Sequence, residues 1–529
     1  MRKGLSMLLL ISLALGLIAG CSGGNNEGNN ASNHKADSKN SSSTSNSSNN
    51  SADSSDSNAN KTSLPEKTFT FLDVSHPSWP YDENWLVWKL LKEQTGVSFK
   101  VQVPSGEMAD ALSLAIASGE LPDLLYTEDK SLADKYGQMG ALANILDYTD
   151  IMPNFKQWME KYPNDTRNAI AADGKMYIFP NQGIGETNRM IWMYREDIFK
   201  KLNLTPPQNW DELYTVLKAL KQAYPDSYPL SWRDGIAYLL NFSASFKTSN
   251  DFYYDYDTNT WKYAPLDDNY KTMIGYFNKF YKEGLIPPDF LSIDTKQWQD
   301  LISTDKAFIT LDYIGRIDFY NTPLRADNPD YNLLFMPPPE GVPGSQKNAF
   351  TQFDQAGMMV SGDSKNIKDV MKYFDFLYSE DGKNLVSWGK EGETYTVKDG
   401  KNVLNPDYTT VADLRKKTGL STDGAYTWFD YDAHLSLSSP ELASAYEQAR
   451  KYDSQQQPMP TLTQTELDDT NVEMTSIQKY RDENVAKFIL GTRSLSEWDK
   501  YVSDLKGLGV DHVISVYKEA YERSLQTAK

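Results

Sequence analysis

Phe69-Thr70-Phe71-Leu72-Asp73-Val74, a helical stretch over residues 85–94 closed by Gly96, and Val97-Ser98-Phe99-Lys100-Val101-Gln102-Val103 decide the fold. The first run is compact and apolar, as a buried strand requires, and the last alternates apolar and polar side chains with period two. Leu124-Leu125-Tyr126 reads as another short strand. It is reached through residues 109–117, whose apolar side chains recur at helical spacing and stop at Ser118-Gly119. Strands alternating with helices predict an α/β domain with a largely parallel sheet. Farther on, Asn209 precedes Trp210-Asp211-Glu212, with Leu213, Val216, Leu217 and Leu220 on one helical face. Ser494 and Glu497 have capping-box spacing before Trp498, Tyr501, Val502 and Leu505, and Gly507 closes that stretch. Val513, Val516, Tyr517 and Ala520 stripe a last helix over 510–525. These aromatic stripes read as core.

The chain has 529 residues, enough for two domains with separate cores. Aromatics make up 12%, with 12 Trp and 33 Tyr, an unusually large share. A formal charge of −19 repels phosphate backbones, which argues against a nucleic-acid partner. Cys21 is the single cysteine, so neither an internal disulfide nor a cysteine-based metal site can form. The four histidines, His34, His76, His434 and His512, lack metal-ligand spacing.

The N-terminus reads as an export signal over residues 1–20. Arg2 and Lys3 form its positive start, and residues 5–18 are an apolar run too short to span a bilayer, which takes about 20 apolar residues. Leu17-Ile18-Ala19-Gly20-Cys21 resembles the bacterial lipobox, which implies cleavage and lipidation at Cys21. More than one acyl chain gives stable anchoring, so the expectation is an exported protein tethered to the membrane with its folded body outside. Residues 22–63 are dominated by Ser and Asn and predict a disordered tether. About 40 flexible residues span on the order of 35 Å.

Catalytic and cofactor motifs are missing. The sequence contains no G-x-S-x-G, no H-E-x-x-H and no phosphate loop, and Gly183-x-Gly185 lacks the third glycine of a dinucleotide fingerprint. Asp255-x-Asp257-x-Asn259 imitates half a calcium loop. Thr260 replaces the turn glycine and Leu266 the bidentate Glu, so the segment reads as a hairpin turn between Tyr253-Tyr254 and Trp261-Lys262-Tyr263. No cofactor or metal is expected. With 72 Asp and Glu residues, paired carboxylates arise by chance, and a surface-anchored glycoside hydrolase or lyase stays open as the enzymatic alternative.

Ala117-Ser118-Gly119-Glu120-Leu121-Pro122-Asp123, Asp173-Gly174-Lys175-Met176-Tyr177-Ile178-Phe179-Pro180 and Trp192-Met193-Tyr194-Arg195-Glu196-Asp197-Ile198-Phe199-Lys200-Lys201-Leu202 form an ordered series. Pro207-x-Asn209-Trp210-Asp211-Glu212-Leu213, Tyr281-Lys282-Glu283-Gly284-Leu285-Ile286-Pro287 and Trp388-Gly389-Lys390-Glu391-Gly392-Glu393-Thr394-Tyr395 continue it. The series resembles the maltose-binding-protein-like family 1 of bacterial extracellular solute-binding proteins. Within it, the match is to the large Gram-positive lipoprotein branch linked to oligosaccharide uptake. The resemblance implies a two-lobed, type II periplasmic-binding-protein-like α/β fold with a ligand cleft and a hinge crossed more than once. It places lobe 1 at 67–180 plus 358–435 and lobe 2 at 181–357 plus 436–529, after a lipidated tether at 21–66. It further implies a monomer that is no enzyme, holds an oligosaccharide and delivers it to the permease of an ABC transporter.

A sugar offers apolar C–H faces and a rim of hydroxyls, so its site needs aromatic platforms and planar polar side chains on loops. Trp79, Trp232, Tyr313 and Trp388 are the expected platforms. Gln182, Glu186, Arg233, Asp312, Asp354 and Glu391 are the expected hydroxyl partners, and Arg233 with Arg316 could also pair with the carboxylate of an acidic sugar. Arg195, at a helix start, reads as structural.

Overall fold

The computed structural model describes residues 65–349 and 355–527. The export segment, Cys21, almost all of the proposed tether, and Asp354 lie outside the described residues.

In chain order the strands are β1 (Lys67–Leu72), β2 (Val97–Gln102), β3 (Leu124–Thr127), β4 (Met190–Arg195), β5 (Phe252–Asp255), β6 (Thr260–Tyr263), β7 (Ile309–Tyr313), β8 (Leu333–Met336) and β9 (Gly357–Val360), followed by a hairpin of β10 (Tyr395–Lys398) and β11 (Lys401–Leu404). The first sheet has the order β2-β1-β3-β9. β1 is parallel to β2 and to β3, with Lys67 opposite Val97 and Phe71 opposite Leu124. The helix Leu86–Thr95 makes the crossover and ends on Gly96, whose left-handed φ of 76° lets its N–H reach Lys92 O. The expected β-α-β unit is therefore present. β9 enters antiparallel against β3, with Thr127 opposite Gly357.

The second sheet departs from the parallel expectation. Its order is β7-β4-β8, and both pairings are antiparallel. Short apolar runs carry no direction in their periodicity, because a strand looks the same whichever way its neighbour runs. Ser494 also differs from its reading. It caps a single 3-10 turn by accepting from Ser496 N–H, and the α-helix starts only at Trp498, while Glu497 turns to Arg493.

Each sheet has its own core. One draws on Phe69, Phe71, Leu124, Tyr126, Phe179, Met358, Phe374, Trp388 and Phe429. The other draws on Trp192, Trp210, Leu213, Phe242, Phe277, Phe488, Trp498 and Tyr501. Full burial of each such side chain contributes roughly 1.5–3 kcal/mol. A third cluster packs Trp298, Tyr320 and Phe335 against Leu442 and Tyr446.

Main-chain bonds tie the connecting segments together. Gln182 N–H donates to Thr427 O and Phe429 N–H to Gln182 O, both at 2.9 Å. Phe179 N–H donates to Met358 O at 2.9 Å, and the Asn181 amide to Ala356 O at 2.8 Å. Asn348 N–H donates to Tyr452 O, and Ser454 N–H to Asn348 O. Gly183, with φ 107°, lies so close that a Cβ there would sit 2.2 Å from Phe429 O. Gly183→Ala is expected to cost more than about 1 kcal/mol, read as a lower melting temperature.

His434 follows the segment that runs from Thr427 to Phe429. Its ring is buried against Phe429 and Tyr431, and neither ring nitrogen has a partner among the described residues. Burial, with Arg415 adding, holds its pKa well below the usual value. The folded state thus resists protonation while the unfolded chain accepts it, so stability falls as pH drops below about 6.5. Denaturation at pH 7.5 and 5.5 should show the native chain losing more stability than His434→Phe. The difference should approach about 1.4 kcal/mol per pH unit below the unfolded pKa.

Candidate functional site

Both sheets present strand ends beside the connecting segments. The C-terminal end of β3 lies against Gly357, where the chain enters β9, and the C-terminal residue of β7, Tyr313, pairs with Met190, where the chain enters β4. Crevices outside carboxyl ends of strands are where α/β proteins bind ligands.

At the end of β7, Asp312 is fully buried and collects four donors. Arg233 Nε reaches Oδ2 at 2.8 Å and Tyr238 O–H the same oxygen at 2.7 Å. Arg316 Nε reaches Oδ1 at 2.9 Å, and Tyr313 N–H the same oxygen at 2.8 Å. Burial opposes the charge on Arg233, but Asp312 outweighs it and raises the guanidinium pKa further. The Trp298 ring lies 5.9 Å from the Arg233 guanidinium and 5.3 Å from that of Arg316. Tyr313 stays 38% exposed and Phe319, one helical turn beyond Arg316, 49% exposed. The result is two fixed cations between two open aromatic rings.

Asp73, at the end of β1, is buried, and its carboxyl is pushed well up by burial, with Val74 N–H opposing and Asp423 adding. Burial, Asp423 and Glu107 likewise raise Glu128, just past β3. His76 stacks on Trp79 with centroids 3.7 Å apart, and the Arg415 guanidinium lies 4.7 Å from the same indole. This end is rich in carboxyl acceptors, in contrast to the arginines of the other.

The structure treats the expected site residues unequally. Tyr313, Arg233 and Asp312 come together, although Asp312 serves as the buried anchor of two arginines and is not open to a ligand. Trp79 is half-buried under His76. Trp232 must be corrected: it is 0% exposed, packs on Phe242, Phe277 and Phe290, and donates Nε1–H to Gly235 O. Leu230 bridges Ile309 of β7, and the alternation of the extended chain turns Trp232 inward while Arg233 stays partly open. Trp388 needs the same correction, since it is buried in the first core with Nε1–H on Asp430 at 2.9 Å. Gln182 uses its main chain in the connecting pair. Glu186 pairs with Arg189 at 3.0 Å and Arg450 at 3.5 Å, and Arg189 also pairs with Asp453, so this group braces the same region. Glu391 is exposed on a turn away from the Asp312 group's contacts.

Sequence reasoning missed Tyr238, Trp298 and Phe319. Only Phe319 had a usable signal, its spacing of three from Arg316 on a helix. Arg195 is structural as read, buried with Asp197 and Asp305 on its guanidinium. An open hollow of about 980 Å³ sits elsewhere, around Tyr253, Tyr254, Tyr256, Lys247 and Gln456, and none of the expected site residues among the described residues lines it. Asp255 is occupied by Thr258, Asp257 N–H and Lys262 in the β5–β6 hairpin, and no cluster of three candidate metal ligands occurs among the described residues.

The family model for bacterial extracellular solute-binding proteins matches residues 84–384, more than half of the chain. The chain belongs to that family. A fructooligosaccharide ABC transporter substrate-binding protein of Streptococcus pneumoniae is 25% identical over 508 residues, covering 87% of this chain and 90% of the relative. A polygalacturonan/rhamnogalacturonan-binding protein of Bacillus subtilis is 25% identical over 448 residues, covering 80% and 85%. Among solved structures, an alginate-binding protein crystallised without calcium ion has a TM-score of 0.70 at 26% identity, with 88% of this chain and 99% of that one covered. An HMO-binding, ABC-transporter-associated solute-binding protein from Bifidobacterium longum infantis has a TM-score of 0.71 at 20% identity, covering 87% and 99%. The fold is accordingly the two-lobed type II arrangement, and these relatives are binding proteins.

Removing the charge of Asp312 leaves the largely buried Arg316 guanidinium without its carboxylate and Arg233 with Asp234 alone. Asp312→Asn is expected to cost about 3–5 kcal/mol. A thermal melt should fall by on the order of 10 °C.

Proposed function

We propose that this solute-binding protein is a membrane-anchored lipoprotein that captures an oligosaccharide between its lobes and hands it to an ABC permease. The carrying observation is the Asp312 group, in which open rings at Tyr313 and Phe319 flank arginines held by a buried carboxylate. Stacking surfaces beside fixed, planar donors match the alternating faces and hydroxyls of a sugar. The exposed carboxyl of Glu128 suits a hydroxyl donor. The separate cores support lobes divided as 67–180 with 358–435 and 181–357 with 436–529. The paired segments around Gln182 suit a hinge, and closure there would turn ligand binding into a shape the permease reads. Cys21 carries the lipid, and residues 21–66 are the tether.

Glu128 also bears on one second reading, since a glycoside hydrolase needs one carboxyl with a raised pKa as its acid, beside a second that stays ionised. One experiment separates the two. The full chain in detergent is melted with neutral and acidic oligosaccharides, monosaccharides and peptides, and the ligand is recovered and sized. At about 100 times its dissociation constant a ligand adds about 2.7 kcal/mol to the folded state, a visible shift. A shift with an oligosaccharide recovered intact is the expected outcome. Shortened oligosaccharide would transfer the function to the hydrolase, and a shift with peptides alone would remove sugar capture.

A further inference from the structure

Arg316 is held more firmly than its own bonds require, and much of its donor capacity is unused. Its side chain is only 18% exposed. Nε is fixed on Asp312, and the guanidinium lies 5.3 Å from the Trp298 ring and 5.1 Å from the Phe319 ring. Among the described residues neither Nη nitrogen has a hydrogen-bond or ion-pair partner. Arg233 differs, because its Nη1 is committed to Asp234 at 2.7 Å. Two arginines thus share one buried carboxylate, and the second arginine keeps its outer fork free.

A fork of this kind is satisfied by water while the site is open. When a ligand displaces that water, the fork must be matched by an acceptor of similar geometry, or the desolvated donors cost about 1–3 kcal/mol. A carboxylate fits best: two oxygens meet two N–H groups in one plane, and charge-assisted bonds are roughly twice as strong as those to a neutral hydroxyl. Arg316 also opens the helix Arg316–Leu324, whose positive end favours an anion. With a chain charge of −19, an acidic ligand is repelled everywhere except where cations are fixed in this way.

We infer that the Arg316 fork, backed by Arg233 and Asp312, binds the carboxylate of an acidic oligosaccharide, with a uronate ring on Tyr313 or Phe319. The inference rests on the oligosaccharide reading given above. Burial already disfavours negative charge at Asp73 and Glu128, so the ligand's charged ring lies at the Arg316 end.

Calorimetry on the full chain in detergent tests this with trimers of galacturonate, glucuronate and mannuronate, each beside its carboxyl-reduced neutral counterpart, and with a sulfated disaccharide. The expected result is that one uronate trimer binds about tenfold or more tighter than its reduced form. Arg316→Gln should weaken the uronate trimer more than its reduced form and so remove that preference, and Arg316→Lys should restore part of it. Melting curves of both variants check that the fold survives. Equal or tighter binding of a reduced trimer, or an unchanged preference in a folded Arg316→Gln variant, would overturn the inference while leaving sugar capture intact. Preference for the sulfated disaccharide would overturn the carboxylate assignment. Binding of none of these sugars would overturn both the inference and the reading beneath it.

Discussion

Two main-chain hydrogen bonds, from Gln182 to Thr427 and from Phe429 back to Gln182, hold together segments that are far apart in sequence. Much else is arranged around them. Phe179 and Asn181 bond the chain on its way into β9, Tyr378 O–H donates to Pro180 O at 2.7 Å, and Gly183 lets Phe429 approach. A few extended residues can change φ and ψ modestly without breaking a core on either side, which is the mechanical requirement of a hinge. Polar side chains surround this pair. Arg189 gathers Glu186 and Asp453, and Glu186 reaches Arg450 as well, so the brace is ionic and adjustable.

The candidate site inherits its asymmetry from the two sheets. Beyond β1 and β3 the strand ends deliver carboxyl groups whose burial and mutual repulsion favour the protonated form. Beyond β7 the strand end delivers a carboxylate so fully bonded that it orders two cations. The two strand ends therefore differ in polarity, with carboxyl groups beyond one and fixed cationic donors beyond the other.

Local patterns made part of this visible beforehand. The β1, helix and β2 unit was legible because its period-two and period-3.6 stretches are contiguous and end on Gly96. The Asn209 cap was legible for the same reason, and its side chain does accept from Glu212 N–H. Trp232 and Trp388 were not. An aromatic near polar residues looks alike whether the ring turns out or in, and only pairing beside β7 or packing in the first core decides. Asp312 stands at the end of β7 beside Tyr313, but its role as an anchor depends on Tyr238 and Arg233, which lie 74 and 79 residues away.

By itself the sequence determined the first strand–helix–strand unit and several later helices, that two cores could form, and that a family resemblance runs along most of the chain. Those properties live in neighbouring residues, whose spacing is fixed by the covalent chain. Only the tertiary structure decided the antiparallel second sheet, the pairing of Gln182 with residues 427–429, and which aromatic rings stay open. It alone left Arg316 with a free fork, since burial and unpaired donors are created when distant segments meet, and no local pattern encodes that meeting.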